Sequence, residues 1–220
     1  MKKRHFFVLS AILPALALPI FTACAPYDYS DRISEVRSDL FLAETDDFSL
    51  TIACLSREYP YADDGIPCPM TDLIEADLHP KTQMPDTVEI YAEGINWGGE
   101  ASFSAVSGSY RFSQGTDTFP EGSISLRVVW GDSETTIAAT SVRTEETLSA
   151  KEALSVFVEA EKETLARMKQ DGAFCGELCV RLLRRDKNYY YAAVTDGKER
   201  TALLIDAETG EILARRTDTL

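Results

Sequence analysis

The segment 47–54, DFSLTIAC, alternates without a break. Phe48, Leu50, Ile52 and Cys54 fall on one side of an extended chain, and Asp47, Ser49, Thr51 and Ala53 fall on the other. Successive side chains of a strand point to opposite faces, so a period of two specifies a strand with one buried and one wet face. The same rhythm recurs along the chain. SDLFLAE precedes this segment, DTVEIYAEG turns Val88, Ile90 and Ala92 inward, and EASFSAVSGSYRFSQG reads as two strands about Gly108. SISLRVVW carries Ile124, Leu126, Val128 and Trp130 on one face, GDSE turns, and TTIAATSV returns. About seven short strands separated by turn signals predict a β-sandwich over 36–146, with an immunoglobulin-like topology as one way of connecting them.

The pattern changes after Thr147. SAKEALSVFVEAEKETLARMKQ, 149–170, is helical in period: Ala150, Leu154, Phe157, Val158, Leu165 and Met168 form an apolar stripe that Glu161 interrupts. Ser149 and Glu152 have the spacing of a capping box, and Asp171-Gly172 supplies a stop. The strands ELCVRLLR, NYYYAAVT, RTALLID and GEILARR follow, with turns at RDKN, TDGKE and DAETG. One helix and an antiparallel meander make an α+β module over 147–220. The expected fold class is therefore mainly β plus α+β.

Charge supports the division. Residues 24–148 hold 7 Lys/Arg against 23 Asp/Glu, whereas 149–220 hold 12 against 13. Such a shift suggests two modules. A chain of net charge −14 lacks the basic face that phosphate backbones require, which sets nucleic acid aside as a partner.

The first 23 residues have a different logic. Lys2, Lys3 and Arg4 precede an apolar run from Phe6 to Ala23, broken by Pro14 and Pro19 and followed by no cationic stop. A basic start, an apolar middle and small residues at the exit describe an export signal over 1–23; a retained anchor is the other reading. Phe21-Thr22-Ala23-Cys24 resembles the lipobox of bacterial lipoproteins, with Phe21 where leucine is usual. The resemblance implies a diacylglyceryl thioether on Cys24, a polar tether over 24–35, and a body held at the extracytoplasmic face of a membrane. Two or more acyl chains hold a protein there where one barely does.

Four further cysteines remain: Cys54, Cys68, Cys175 and Cys179. In an exported chain an even number suggests two disulfides, with three possible connectivities. Local pairing, Cys54 with Cys68 and Cys175 with Cys179, would keep each bridge inside one module. The second needs CGELC to turn, because bridged Cα atoms lie about 5.5 Å apart.

LSAKEAL, NYYYAAVTDG and above all TALLIDAETGEIL, 201–213, resemble the PepSY module of bacterial exported proteins and metallopeptidase propeptides. The AFCGELC segment and the long helix depart from its pattern. The resemblance implies peptidase modulation or peptide binding at the cell envelope, and assigns that role to no single residue here.

Catalytic signatures are missing. His79, in DLHPK, is the one histidine after the signal, and neither a GxSxG elbow nor an HExxH helix occurs. Carboxylates are dense at Glu44, Asp46 and Asp47 and at Asp63 and Asp64, where oxygens could meet Ca2+, but the spaced acids of an EF-hand loop are absent. Tyr61 and Trp97 lie in loops and, with Asp63 and Asp64, are candidate ligand contacts. The expectation is a lipid-anchored envelope protein without catalysis, cofactor-free, that binds a peptide or another envelope protein. A carboxylate-dependent hydrolase of glycans or peptides, and a ligand-free spacer, are the alternatives.

Overall fold

The computed structural model describes residues 27–62, 66 and 68–220. The signal, the lipobox and Cys24, together with Asp63 and Asp64, lie outside them. Eight strands come first: β1 (Ile33–Glu44), β2 (Phe48–Glu58), β3 (Met70–Pro80), β4 (Thr87–Ala92), β5 (Gly98–Ser104), β6 (Ser109–Gly115), β7 (Ser123–Trp130) and β8 (Ser133–Ser141). They are ordered β1-β2-β3-β6-β5-β4-β7-β8, every neighbouring pair antiparallel, and β8 pairs back onto β1.

This is a closed barrel, which corrects the expected sandwich. The strand rhythm was sound, but alternation looks the same whether a wet-and-dry sheet faces a second sheet or curls on itself. The closing contact joins residues about 100 positions apart, Phe41 to Ser141 and Leu42 to Thr140, and no local signal encodes it. An eight-stranded barrel has an interior just wide enough for side chains to fill. Phe41, Phe48, Leu50, Ile52, Ile74, Leu78, Ile90 and Leu126 fill it, each at most 1% exposed.

The second region begins with α1 (Ala150–Ala160) and α2 (Lys162–Arg167), then a small hairpin of β9 (Lys169–Gln170) and β10 (Ala173–Phe174). The meander β11 (Glu177–Arg184), β12 (Asn188–Thr195), β13 (Glu199–Asp206) and β14 (Ile212–Thr219) completes the chain. The capping box forms as expected: Glu152 N donates to Ser149 Oγ at 3.2 Å, and Ser149 N donates to Glu152 Oε2 at 2.7 Å. The expected single helix breaks at Glu161. Its carboxylate is buried and accepts two bonds from Arg215 on β14, at 2.6 and 3.0 Å, and one from Thr164 at 2.6 Å. The residue that interrupts the apolar stripe is the one that pins the helices to the sheet edge. Leu154, Phe157 and Leu165 pack on Leu178, Val180, Tyr190, Val194 and Leu203.

The two regions share a strand. The first half of β1 pairs in parallel with β11, Val36 opposite Val180 and Arg37 opposite Arg181, while β1 pairs with β2 from Glu35 to Glu44. The meander thus continues the barrel wall as an open flap, β14-β13-β12-β11-β1. A bulge between Arg37 and Asp39 marks the divergence, as expected where a sheet must bend.

The DAETG turn has a simple cause. Asp206 is buried, and its Oδ1 accepts the amides of Glu208 and Thr209, both at 3.0 Å, while Lys187 donates to its Oδ2. The Lys187 hydrogen bond, then those two amides, hold the carboxyl well below its usual range. Gly210 takes φ +74°, a conformation costly for other residues.

Candidate functional site

The outward faces of β1, β2, β3 and β6 form a groove of about 470 Å³ beside the point where the flap leaves the barrel. Because Phe48, Leu50, Ile52 and Cys54 point inward, Thr51, Ala53, Leu55 and Arg57 must point out. The same parity on β3 presents Glu75 and Asp77, and Arg111 is opposite Asp77 on β6. Arg37 enters from β1, between Arg181 on one side and Leu55 on the other. Leu40 and Ala53 contribute apolar surface, whereas Phe112, opposite the inward Ala76, turns its ring into the barrel.

The charges are uneven in their pairing. Arg57 Nη2 donates to Glu75 Oε1 at 2.9 Å, and Arg111 Nη2 lies 3.7 Å from Asp77 Oδ2. Arg181 holds the buried Glu35 with two bonds, of 2.7 and 3.2 Å. Arg37 has no such partner. Its nearest carboxylate oxygen, Glu35 Oε1, is 3.9 Å away, and its Nε is buried without a hydrogen bond. Burial pushes the Arg37 guanidinium below the usual arginine range, with Glu35 opposing that shift and Arg181 adding to it. Asp77 Oδ1 is likewise buried without a hydrogen bond; His79 Nε2 stands 3.6 Å from it. A buried polar atom without a partner carries a desolvation cost of about 1–3 kcal/mol. This groove holds one of each sign.

Of the candidate contacts, Tyr61 belongs beside this site. Its hydroxyl accepts from Arg181 Nη2 at 3.1 Å and its ring lies 5.7 Å from the Arg57 guanidinium carbon. Trp97 does not. It is 3% exposed inside the barrel, where its indole N–H donates to the Ile74 carbonyl at 3.0 Å and its ring meets Phe112 edge-on. The glycines after it serve packing: a Cβ on Gly99 would come within 2.7 Å of the Phe112 ring.

No disulfide joins the four cysteines of the described chain. Cys54 is in the barrel interior, opposite Ile74, where burial and then the Asp39 charge push its thiol up to about 12. Cys68 sits at the barrel's end, its amide donating to Glu58 at 3.0 Å. Cys54 and Glu58 are four positions apart on β2, a rise of about 13 Å, beyond the reach of a bridge between Cys54 and Cys68. Cys175 leaves the small hairpin with its amide on the Met168 carbonyl, and Cys179 is embedded in β11 opposite Glu35 and Ala193.

Of the carboxylates at 44–47, Glu44 accepts from Lys81 at 2.6 Å and Asp47 accepts from Thr82 at 3.3 Å, which ties the β1–β2 turn to the segment after β3. Among the described residues no cluster of three or more His, Cys, Asp or Glu could hold a metal ion, and no helix is long and apolar enough to cross a membrane. No family model matches the chain, and neither does any curated protein or solved structure.

The arginines escaped the sequence reading although a signal was present. Residues 24–148 hold only seven cations, and Arg37, Arg57 and Arg111 are three of them. Arg57 also sits at an outward position of the clearest strand. That β6, and not β4, lies next to β3 is what unites them, and only the topology contains that fact.

Proposed function

We propose that this chain is a non-catalytic binding protein of the bacterial cell envelope, tethered through a lipid on Cys24, and that the arginine-lined groove is its contact surface. The observation that carries this reading is Arg37: a partly buried guanidinium whose Nε is buried without a hydrogen bond, in the one strand common to barrel and flap. In a chain this acidic, three arginines on one outward face create a local attraction for an anionic group. Guanidinium suits such a role because its planar fork can grip a carboxylate with two parallel bonds. The two acids in the groove, Glu75 and Asp77, each face an arginine, which supports binding over acid–base catalysis. The lipobox and PepSY resemblances support the envelope setting.

A photo-crosslinking residue placed at Arg57 in cells should give a discrete adduct in the membrane fraction. The same probe at Val106, on the far exposed turn between β5 and β6, should give none. Cys24→Ser should move the protein out of that fraction. Equal adduct patterns from both probes would refute the groove as the contact surface.

A further inference from the structure

The polar tether expected over 24–35 is mostly part of the fold. Ser30–Arg32 form a single 3₁₀ turn, Ile33 opens β1, and the Tyr29 ring meets the buried Phe174 edge-on, with centroids 5.0 Å apart. Tyr27 is already against the body, its ring 4.7 Å from that of Tyr29 and 6.2 Å from that of Phe174. Three residue steps separate Cys24 from Tyr27. An extended chain covers at most about 3.6 Å per step, so a lipid on Cys24 would hold Tyr27 within about 11 Å of the attachment. A tether loose as far as Glu35 would have allowed about 40 Å. The face that carries Tyr27 is therefore brought to the membrane by chain length alone.

That face is a cleft of about 560 Å³ between the N-terminal segment, α1 and the sheet. Ile33, Val36, Leu154, Val158 and Val180 give it an apolar lining, and Lys151 shares its rim with Asp28. Lys169 places its ammonium 4.7 Å from the centre of the Tyr27 ring and 5.8 Å from that of Tyr29. Tyrosines and lysines around an apolar hollow suit a bilayer interface, where amphipathic rings sit at headgroup level and long cationic side chains reach the headgroups. The charge division points the same way. Residues 24–148 hold 23 Asp/Glu against 7 Lys/Arg, whereas 149–220, which include α1 and Lys169, hold 13 against 12. An anionic bilayer repels the first region far more than the second. We propose that this cleft is the membrane-facing surface of the protein, docked on the bilayer that holds the Cys24 lipid, with Tyr27 and Tyr29 at headgroup depth. The inference rests on the Cys24 anchor of the proposed function, and adds which side of the body meets the lipid.

The test uses the protein purified from membranes in detergent and returned to vesicles of phosphatidylcholine and phosphatidylglycerol. A fluorescent non-natural residue replaces either Ser155, exposed in the cleft lining, or Val106, exposed on the turn between β5 and β6. Vesicles whose lipids carry a nitroxide near the headgroup should quench the probe at Ser155 several-fold more than the probe at Val106. Intact mass of the same samples reports the diacylglyceryl group. Equal quenching at the two positions, or none at Ser155 in a protein whose mass includes the lipid, overturns the proposal. A probe at Ser155 that ignores the nitroxide but changes its emission on dilution of the protein overturns it too, and gives the cleft to a second copy of the chain. If the mass lacks the lipid and the protein leaves the vesicles, the Cys24 anchor itself falls, and the orientation falls with it.

Discussion

The inner and outer faces of β1–β3 are made by the same three strands and obey opposite rules. Inside, Phe41, Ile52 and Ile74 have no exposed surface and belong to one apolar cluster. Outside, Arg37, Arg57, Glu75 and Asp77 share one groove, and two of their polar atoms lack any hydrogen bond. A filled barrel tolerates no slack, since interiors pack at the density of organic crystals. Outside, apart from the small buried cluster of Leu40, Ala53 and Leu55, the face is packed less completely and can hold groups in costly states. The difference teaches that closing a barrel frees one face of every strand for recognition.

The largest contrast between the faces is chemical. Cys54 on the inner face of β2 should react with a thiol reagent at pH 8 at least about 10³-fold more slowly than an exposed cysteine, because its thiolate is nearly absent. Cys68 and Cys175, half-buried outside, should label first. Time-resolved mass measurement checks this, and early modification of Cys54 would mean that the barrel opens readily. Next, Phe41→Ala should lower unfolding free energy by about 3–5 kcal/mol in a urea titration, by removing a fully buried ring at the strand both regions share.

A smaller effect belongs to the flap. Asp206→Ala should cost about 2 kcal/mol at neutral pH through lost charge-assisted bonds. Since the folded carboxyl lies below its ordinary value, its contribution is complete above the unfolded value of about 3.9 and disappears as pH falls through the lower, folded value. Melting curves of parent and variant should therefore converge on acidification; a constant gap would show that the carboxylate's charge is irrelevant to the turn. The smallest stability effect is expected where binding suffers most. Arg37→Leu should change unfolding free energy by less than about 1 kcal/mol, because it removes a partly buried cation that gains little from its neighbours. A loss above 2 kcal/mol would reassign Arg37 to the framework and break the comparison between the faces.

Local chemistry was legible from the sequence where one element sufficed to specify it. The inward set of β2, the capping box at Ser149 and Glu152, and the turn at Asp206 to Gly210 each depend on residues a few positions apart. The YYY triplet divided as a strand must, with Tyr190 buried against the helices and its hydroxyl donating to the Leu148 carbonyl at 2.7 Å. Glu161 was visible as a defect in a stripe, but its purpose needed Arg215, 54 residues later.

What the sequence by itself determined is the alternation, and with it which side chains are inside and which are out. What the tertiary structure decided is that β8 returns to β1, that β6 lies beside β3, and that β1 also serves the flap. The physical reason is that a strand's period depends on its own backbone, whereas its neighbours are chosen by burying all apolar faces at once. The groove belongs to the second kind: its arginines come from three strands that are brought together only when β6 pairs with β3.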